Sequence, residues 1–334
     1  MRTIRNPVRG AGHRCRSAVV AAALGLCLSA CAGGPVPAPL ASGLAMLVGA
    51  GTALHLWSDE GVPPTVPLSP EAFQPGQVTW LGHSGFLVRL GGQSILVDPV
   101  LEPGDDGLPW IIRQVERVGQ PADLSGLDRL DAVLVTHDHS DHQHDPTLRV
   151  LAARFPQALL VYPAGARPSA AGFARRQAIA EGARLGLGSL RIETIPVQHL
   201  GRMQPGQRPV AFAPALGYAL IAPEGRVIAL GDTARDGRFV DVGRRLGPFD
   251  LALVPIGGGD PAVAVGHLHA SPEDAVQIAL DLRARRAVPH HWGAFLFTPR
   301  SPGETLARFR AAAEGRLPVE LPPVGGSVPI RRAR

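Results

Sequence analysis

The sequence predicts an α/β fold, on three observations. Residues 131–135, Asp-Ala-Val-Leu-Val, form an apolar run of the kind found in a sheet covered on both faces. Ser271 followed by Pro272, Glu273 and Asp274 reads as a capped helix start, so strands and helices share one region. Potential metal ligands recur at the ends of apolar runs, which is where strands give way to loops.

The elements follow in order. Residues 78–81, 86–90 and 94–97 read as consecutive antiparallel strands, with Gly91-Gly92 as one of the turns. The run at 131–135 comes next, and a second half supplies strands at 217–221, 227–230 and 251–255. The helix that opens at Ser271 has Arg283, Arg285 and Arg286 near its expected end, where cations suit the dipole. Ser301 with Glu304 predicts a capping box and a last helix ending near Gly315.

Residues 136–142 read Thr-His-Asp-His-Ser-Asp-His. A solvated charged loop does not concentrate His137, His139, Asp141 and His142 at H-x-H-x-D-H spacing directly after a buried strand. His137 and His139 can reach one ion from the same side of an extended turn, and Asp141 and His142 suit a second. A two-ion site needs further ligands from distant segments. His199 follows the run 192–198, Asp232 follows 227–231, and His291 follows 287–290. The assignment expected is His137, His139 and His199 to one ion, Asp141, His142 and His291 to the other, and Asp232 to both. Imidazole and carboxylate suit zinc, and also manganese or iron. A shared water activated between two cations makes a hydrolase the implied class, with Asp141 and Asp232 in its catalytic centre.

With these motifs in view, the chain resembles the metallo-β-lactamase superfamily. Within it the wording is most similar to the branch of N-acyl-phosphatidylethanolamine phospholipase D and, more distantly, to the ascorbate-phosphate lactonases. The resemblance covers about residues 76–300. It rests on Val78-Thr-Trp-Leu-Gly-His-Ser84, Ile95-Leu-Val-Asp-Pro99, the 136–142 run, Pro196-Val-Gln-His199, Gly231-Asp-Thr233, Val254-Pro-Ile-Gly257, His269-Ala-Ser-Pro-Glu-Asp-Ala-Val276 and His291-Trp-Gly-Ala-Phe295. It implies a four-layer αββα sandwich with metals at one edge of two packed sheets, and it implies all seven ligands. It also matches His269 to a histidine beside the active site of that branch, where contact with the substrate or its leaving group is expected and a satisfied core histidine is the alternative. The chain departs from the phospholipases at Asp138, Ser140 and Gly257-Gly-Gly-Asp-Pro261, near the substrate. His83 reads as a residue that orients a ligand rather than binding an ion. His144, His267 and His290 stay outside the ligand set. The leading expectation is phosphodiester hydrolysis on a phospholipid. A lactonase or other ester hydrolase is the alternative within enzymes, and a metal-bearing scaffold lipoprotein is the alternative outside them.

The first residues carry an address. Arg2, Arg5, Arg9, Arg14 and Arg16 precede an apolar stretch, and Leu28-Ser-Ala-Cys31 resembles a lipobox. Residues 1–30 are expected to be a lipoprotein signal peptide, with Cys31 lipidated and the chain held at the bacterial cell envelope. Residues 31–75 are expected to hold the anchor, proline-rich linkers at 33–39 and 61–67, and an apolar segment at 40–57 that lies on a surface rather than spanning it. The catalytic domain is expected over 76–330. The three cysteines are Cys15, Cys27 and Cys31, which excludes a disulfide within the mature chain, thiolate ligands and a cysteine nucleophile. The net charge of +5 equals the five signal arginines. The remaining chain is near neutral, with no basic stripe for nucleic acid.

Overall fold

The structure is a computed structural model. It describes residues 58–331 except 103–116, 167, 169–171, 205–210, 260–265, 297 and 299. The expected signal peptide, Cys31 and the apolar segment at 40–57 lie outside the described residues. Among the described residues no helix is long and apolar enough to cross a membrane.

Two mixed sheets share one apolar core. In the first, β1 (Gln77–Gly82), β2 (Gly85–Leu90) and β3 (Gln93–Val97) form an antiparallel meander turned at Gly91 and Gly92, both with positive φ. The sheet continues with β4 (Ala132–Leu134), β5 (Leu159–Pro163) and β6 (Arg175–Ile179), all parallel. Helix α1 (Asp145–Arg154) makes the crossover from β4 to β5. All three residues of β4 are buried, as a strand covered on both faces requires.

The second sheet begins with an antiparallel trio, β7 (Arg184–Leu187), β8 (Leu190–Gln204) and β9 (Ala211–Ala222). It continues as β10 (Gly225–Ala229), β11 (Leu251–Pro255) and β12 (Ala287–His290), mutually parallel. The crossovers are α2 (Arg238–Leu246) and α3 (Pro272–Asp281), and α4 (Pro302–Ala313) packs on α3. The last strand, β13 (Ser327–Pro329), returns to the first sheet beside β1. Tyr218 Oη donates to the Val135 carbonyl at 2.7 Å, which ties β9 to the end of β4 across the core. The expected four-layer αββα sandwich is the fold observed.

Local signals place the helix starts. Ser271 caps α3 by accepting from the Asp274 amide, and Ser301 with Glu304 forms the reciprocal capping box of α4. Other expectations are corrected. Helix α3 stops at Asp281 because Arg283 adopts φ 57°, so its last turn contains no arginine. Arg286 is instead buried, bonded to Glu320 at 2.9 Å and to the carbonyls of Pro329 and Ile330. Strand β9 starts earlier than the sequence suggests, since Pro214 stands opposite Leu200 where the register is irregular and a missing N–H is tolerated. The proline-rich segment 61–67 is not a free linker. Proline holds it extended, and the Val66 amide donates to the Val324 carbonyl at 2.8 Å while Thr65 Oγ1 donates to the Gln120 carbonyl at 2.8 Å.

Candidate metal centre

Parallel strands put their carboxyl ends on a common edge, and here those ends carry the polar residues. Asp98 follows β3, Thr136 to His142 follows β4, Asp232 follows β10 and His291 follows β12. His83 sits in the β1–β2 turn, and His269 lies just before α3. His199 differs from its expected place: it lies inside β8 at a bulge, not beyond the strand's end. The bulge breaks the alternation and turns the side chain toward the cluster.

All seven expected ligands come together. Donor atoms of His137, His139 and His199 lie within 4.8 Å of one another, as do those of Asp141, His142 and His291 together with His83. Asp232 stands between the two groups. Its Oδ2 is 3.1 Å from His291 Nε2 and 3.9 Å from both His137 Nε2 and His199 Nε2, and its Oδ1 is 3.3 Å from His142 Nε2. His269 Nδ1 lies 3.7 Å from Asp232 Oδ2, with 18% of its side chain exposed. His139, Asp141 and His269 are partly exposed while the other ligands are buried, so these three mark the open side of the cluster.

Hydrogen bonds fix which ring nitrogens carry lone pairs. Thr136 Oγ1 donates to Asp98 Oδ2 at 2.6 Å and therefore accepts from His137 Nδ1 at 3.1 Å. His142 Nδ1 donates to Asp98 Oδ2 at 2.7 Å, and His199 Nδ1 donates to the Leu268 carbonyl at 2.9 Å. In His137 and His199 the other nitrogen, Nε2, is left as the acceptor facing inward. His142, raised against its burial to well above the ordinary histidine range by Asp232, Asp141 and Asp98, instead keeps a proton on Nε2 while no cation is bound. His137 Nε2 and His199 Nε2 then lie 3.0 and 3.3 Å from His139 Nδ1. A neutral His139 has at most one proton on Nδ1 to offer these two lone pairs, so at least one inward nitrogen is left for a cation. His142 Nε2 and Asp232 Oδ1 are also buried without a hydrogen bond. The donor set fits a metal site on these grounds.

The electrostatics agree. Burial, reinforced by neighbouring imidazoles, pushes His137 well below the ordinary histidine range and His139 down to about 4, so both are neutral ligands at pH 7. Burial opposes the charge of Asp232, but His291 and His142 outweigh it and hold the carboxyl well below its usual range. Burial likewise opposes protonation of His291, yet Asp232 and Asp141 raise it to about 9. Positive charge is drawn to the place where a cation would sit.

Asp98 is the functional residue that sequence reasoning left without a role. It accepts from the Thr136 amide at 2.8 Å as well as from Thr136 Oγ1 and His142, so one carboxylate holds the start of the His motif and one of its rings. The signal was available: an apolar strand ends in Asp98 as another ends before Asp232. His83 Nε2 lies 3.0 Å from Asp141 Oδ2, where it orients that carboxylate. Among the described residues, His83, Asp98 and His291 are three of the four non-glycine residues with positive φ, at 48°, 42° and 61°. Such conformations cost on the order of 1–3 kcal/mol each and cluster at functional sites. His144 lies outside the cluster and caps α1 through Thr147. His290 lies outside it too, bonded to Ser84 Oγ at 3.1 Å, and His267 is exposed.

Two parallel-ended sheets carrying this ligand edge define a class, and sequence comparison gives the same one. The model of the family described as the Beta-lactamase superfamily domain matches residues 93–292, and the chain belongs to that superfamily. An uncharacterised protein of Mycobacterium tuberculosis is 31% identical over 246 residues, which is 71% of this chain and 64% of that one. An N-acyl-phosphatidylethanolamine-hydrolyzing phospholipase D of Caenorhabditis elegans is 31% identical over 233 residues, 65% of this chain and 64% of its own. The chain thus spans 64% of the length of these curated relatives. Among solved structures, a metallo hydrolase of Ignicoccus hospitalis shares the fold with a TM-score of 0.55 at 22% identity, covering 75% of this chain and 97% of that one.

Proposed function

We propose that the chain is a metal-dependent hydrolase of the beta-lactamase superfamily that cleaves a phosphodiester, with a phospholipid as substrate class. The observation that carries the hydrolase reading is Asp232, placed between two separate ligand triads, one presenting His137 Nε2 and His199 Nε2 as lone-pair acceptors and the other bringing His142 Nε2 and His291 Nε2 within 3.3 and 3.1 Å of its carboxylate. His137, His139 and His199 would hold one divalent ion, Asp141, His142 and His291 the other, and Asp232 both. Zinc suits these donors best, and manganese or iron are accommodated. Such ions supply Lewis acidity and bring the pKa of water to near 7.

The protein's own part is positioning and charge. Asp98 and the Leu268 carbonyl hold His142 and His199 in the tautomer that binds. Asp232, kept ionised, carries the negative charge shared by the two triads. Burial on all sides but one excludes bulk water from the reacting centre. His269 stands at the open side, and burial, more than any neighbour, lowers its pKa to about 3. It is therefore neutral at pH 7, able to accept one hydrogen bond and donate another to the substrate or its leaving oxygen.

The phospholipid reading draws on the relative from Caenorhabditis elegans, named for hydrolysing N-acyl-phosphatidylethanolamine. It draws also on the lipobox-like Leu28-Ser-Ala-Cys31, which would hold the enzyme on a membrane of the bacterial cell envelope through a lipid at Cys31. The test is metal content per chain, with turnover of bis-p-nitrophenyl phosphate, a phospholipid and a lactone compared. Two ions with turnover of the first two substrates is the expected result. Lactone turnover alone would replace the phosphodiester reading, and a folded, metal-free chain inactive on all three would overturn the hydrolase reading.

A further inference from the structure

Beyond its pairing with β7 and β10, and past the bridge from Gln198 to Ala234 and the bond from the Leu216 amide to the Thr136 carbonyl, the β8–β9 hairpin extends as an arm in which Leu200 pairs with Pro214 and Met203 with Phe212. The arm has two unlike faces. Gly201 and Ala213 are buried on the inner one, and a side chain on Gly201 would meet Asp138 Oδ1 at 2.4 Å, so this face lies directly on the His137–His139 turn. On the outer face Leu200 is 43% exposed, Phe212 is 45% exposed, and Pro214 is exposed between them. Cross-strand partners and alternate residues share a side, so these three form one apolar surface beside the metal centre.

Two further features say what covers it. Past Glu193 neither strand contains an acidic residue, so the arm sets no carboxylate against an anionic surface. The chain that precedes the domain also arrives at this edge: Pro63 packs on Gly293, two residues beyond His291. Residues 40–57, uncharged and largely apolar in sequence, come shortly before that contact.

We propose that the outer face of the β8–β9 arm docks on an anionic phospholipid bilayer, so that the open side of the metal centre lies against the lipid surface. This deepens the phospholipid reading above and rests on it. Leu200 and Phe212 enter the interface, and the mouth marked by His139, Asp141 and His269 meets its substrate there without the lipid leaving the membrane.

The test uses the full chain on phosphatidylcholine vesicles with and without phosphatidylglycerol. In Phe212→Trp, the added indole is expected to be quenched by brominated acyl chains, more strongly with phosphatidylglycerol. Val150→Trp, an exposed position on α1, should show no added quenching. The double variant Leu200→Ser/Phe212→Ser is expected to lose roughly tenfold or more of its turnover on vesicles, the scale of exposing two buried apolar side chains, while turnover of soluble bis-p-nitrophenyl phosphate is unchanged. The proposal is overturned if the added indole of Phe212→Trp is quenched no more than that of Val150→Trp, or if the double variant keeps full vesicle turnover. It is also overturned if the Phe212→Trp emission shifts with protein concentration in lipid-free buffer and is unquenched on vesicles, which would assign the face to a second copy. Quenching in Phe212→Trp by a chain that hydrolyses no phospholipid would uphold the docking surface and remove the substrate reading alone.

Discussion

Asp98 Oδ2 lies 2.7 Å from His142 Nδ1, and both residues are fully buried. The same carboxylate binds the amide and hydroxyl of Thr136, so one side chain sets the His motif's entry and the tautomer of a ring that faces Asp232. Asp98→Ala is expected to lower metal affinity about 10–100-fold, the usual scale for removing a carboxylate behind a metal-binding histidine. Metal titration of the chelator-stripped protein measures it. Affinity equal to that of the parent would show that His142 is held by its ligands alone.

Asp98 also shows what the sequence conceals. Caps and close spacings are local, so the starts of α3 and α4, the first three strands and the 136–142 cluster are legible from residue order. Contacts between distant segments are not. That Asp98 serves His142 depends on β3 pairing with β4, and that His199 turns inward depends on a bulge in β8. Arg286 reads as a helix-end cation until β13 and Glu320 are seen beside it. The prolines at 63, 64 and 67 read as a spacer because a sequence gives no view of Val324, whose carbonyl the Val66 amide finds. Strand ends with ligand-type residues are the part of the site that a sequence displays, and Asp98 is the one such end whose role needed the fold.

His139 and His83 are neighbours of Asp141 with different work. His139 Nδ1 faces two other ring nitrogens, at 3.0 and 3.3 Å, whereas His83 Nε2 donates to the Asp141 carboxylate. His139→Ala is expected to lose bound metal and hydrolytic activity together. His83→Ala is expected to keep its metal content and lose activity in part, because Asp141 then keeps its charge but not its aim. Metal analysis per chain separates them, and equal metal loss in both would place His83 among the ligands.

Gly257 is required by close approach. A methyl group there would lie 1.8 Å from the His291 carbonyl oxygen, against backbone that already holds φ 61°. Gly257→Ala should therefore push His291 from the cluster and cost roughly 1–3 kcal/mol of stability through overpacking. Urea denaturation of the metal-free protein and metal titration are the two measurements. A variant with parental stability and affinity would mean that the 254–257 run moves aside freely.

The metal-free protein should have a stability maximum near neutral pH. Burial first, and neighbouring imidazoles such as His291, His199 and His142 with it, lower His83 and His139 to about 4 and His269 to about 3. Each is neutral in the fold and takes a proton only on unfolding once the pH drops below about 6.5. The unfolded state then binds more protons, so stability falls from about pH 6.5 toward about pH 4, by up to about 1.4 kcal/mol per pH unit for each group. His291 has the opposite sign. Raised to about 9 against its burial by Asp232 and Asp141, it contributes stability that is full below about pH 6.5 and lost as pH rises through about 9. Divalent ions take the place of that proton, so the loss on the alkaline side should disappear when metal is restored. Melting temperature across pH, with chelator and with zinc, measures both limbs, and an alkaline limb that persists unchanged with zinc would contradict the placement of a cation beside His291.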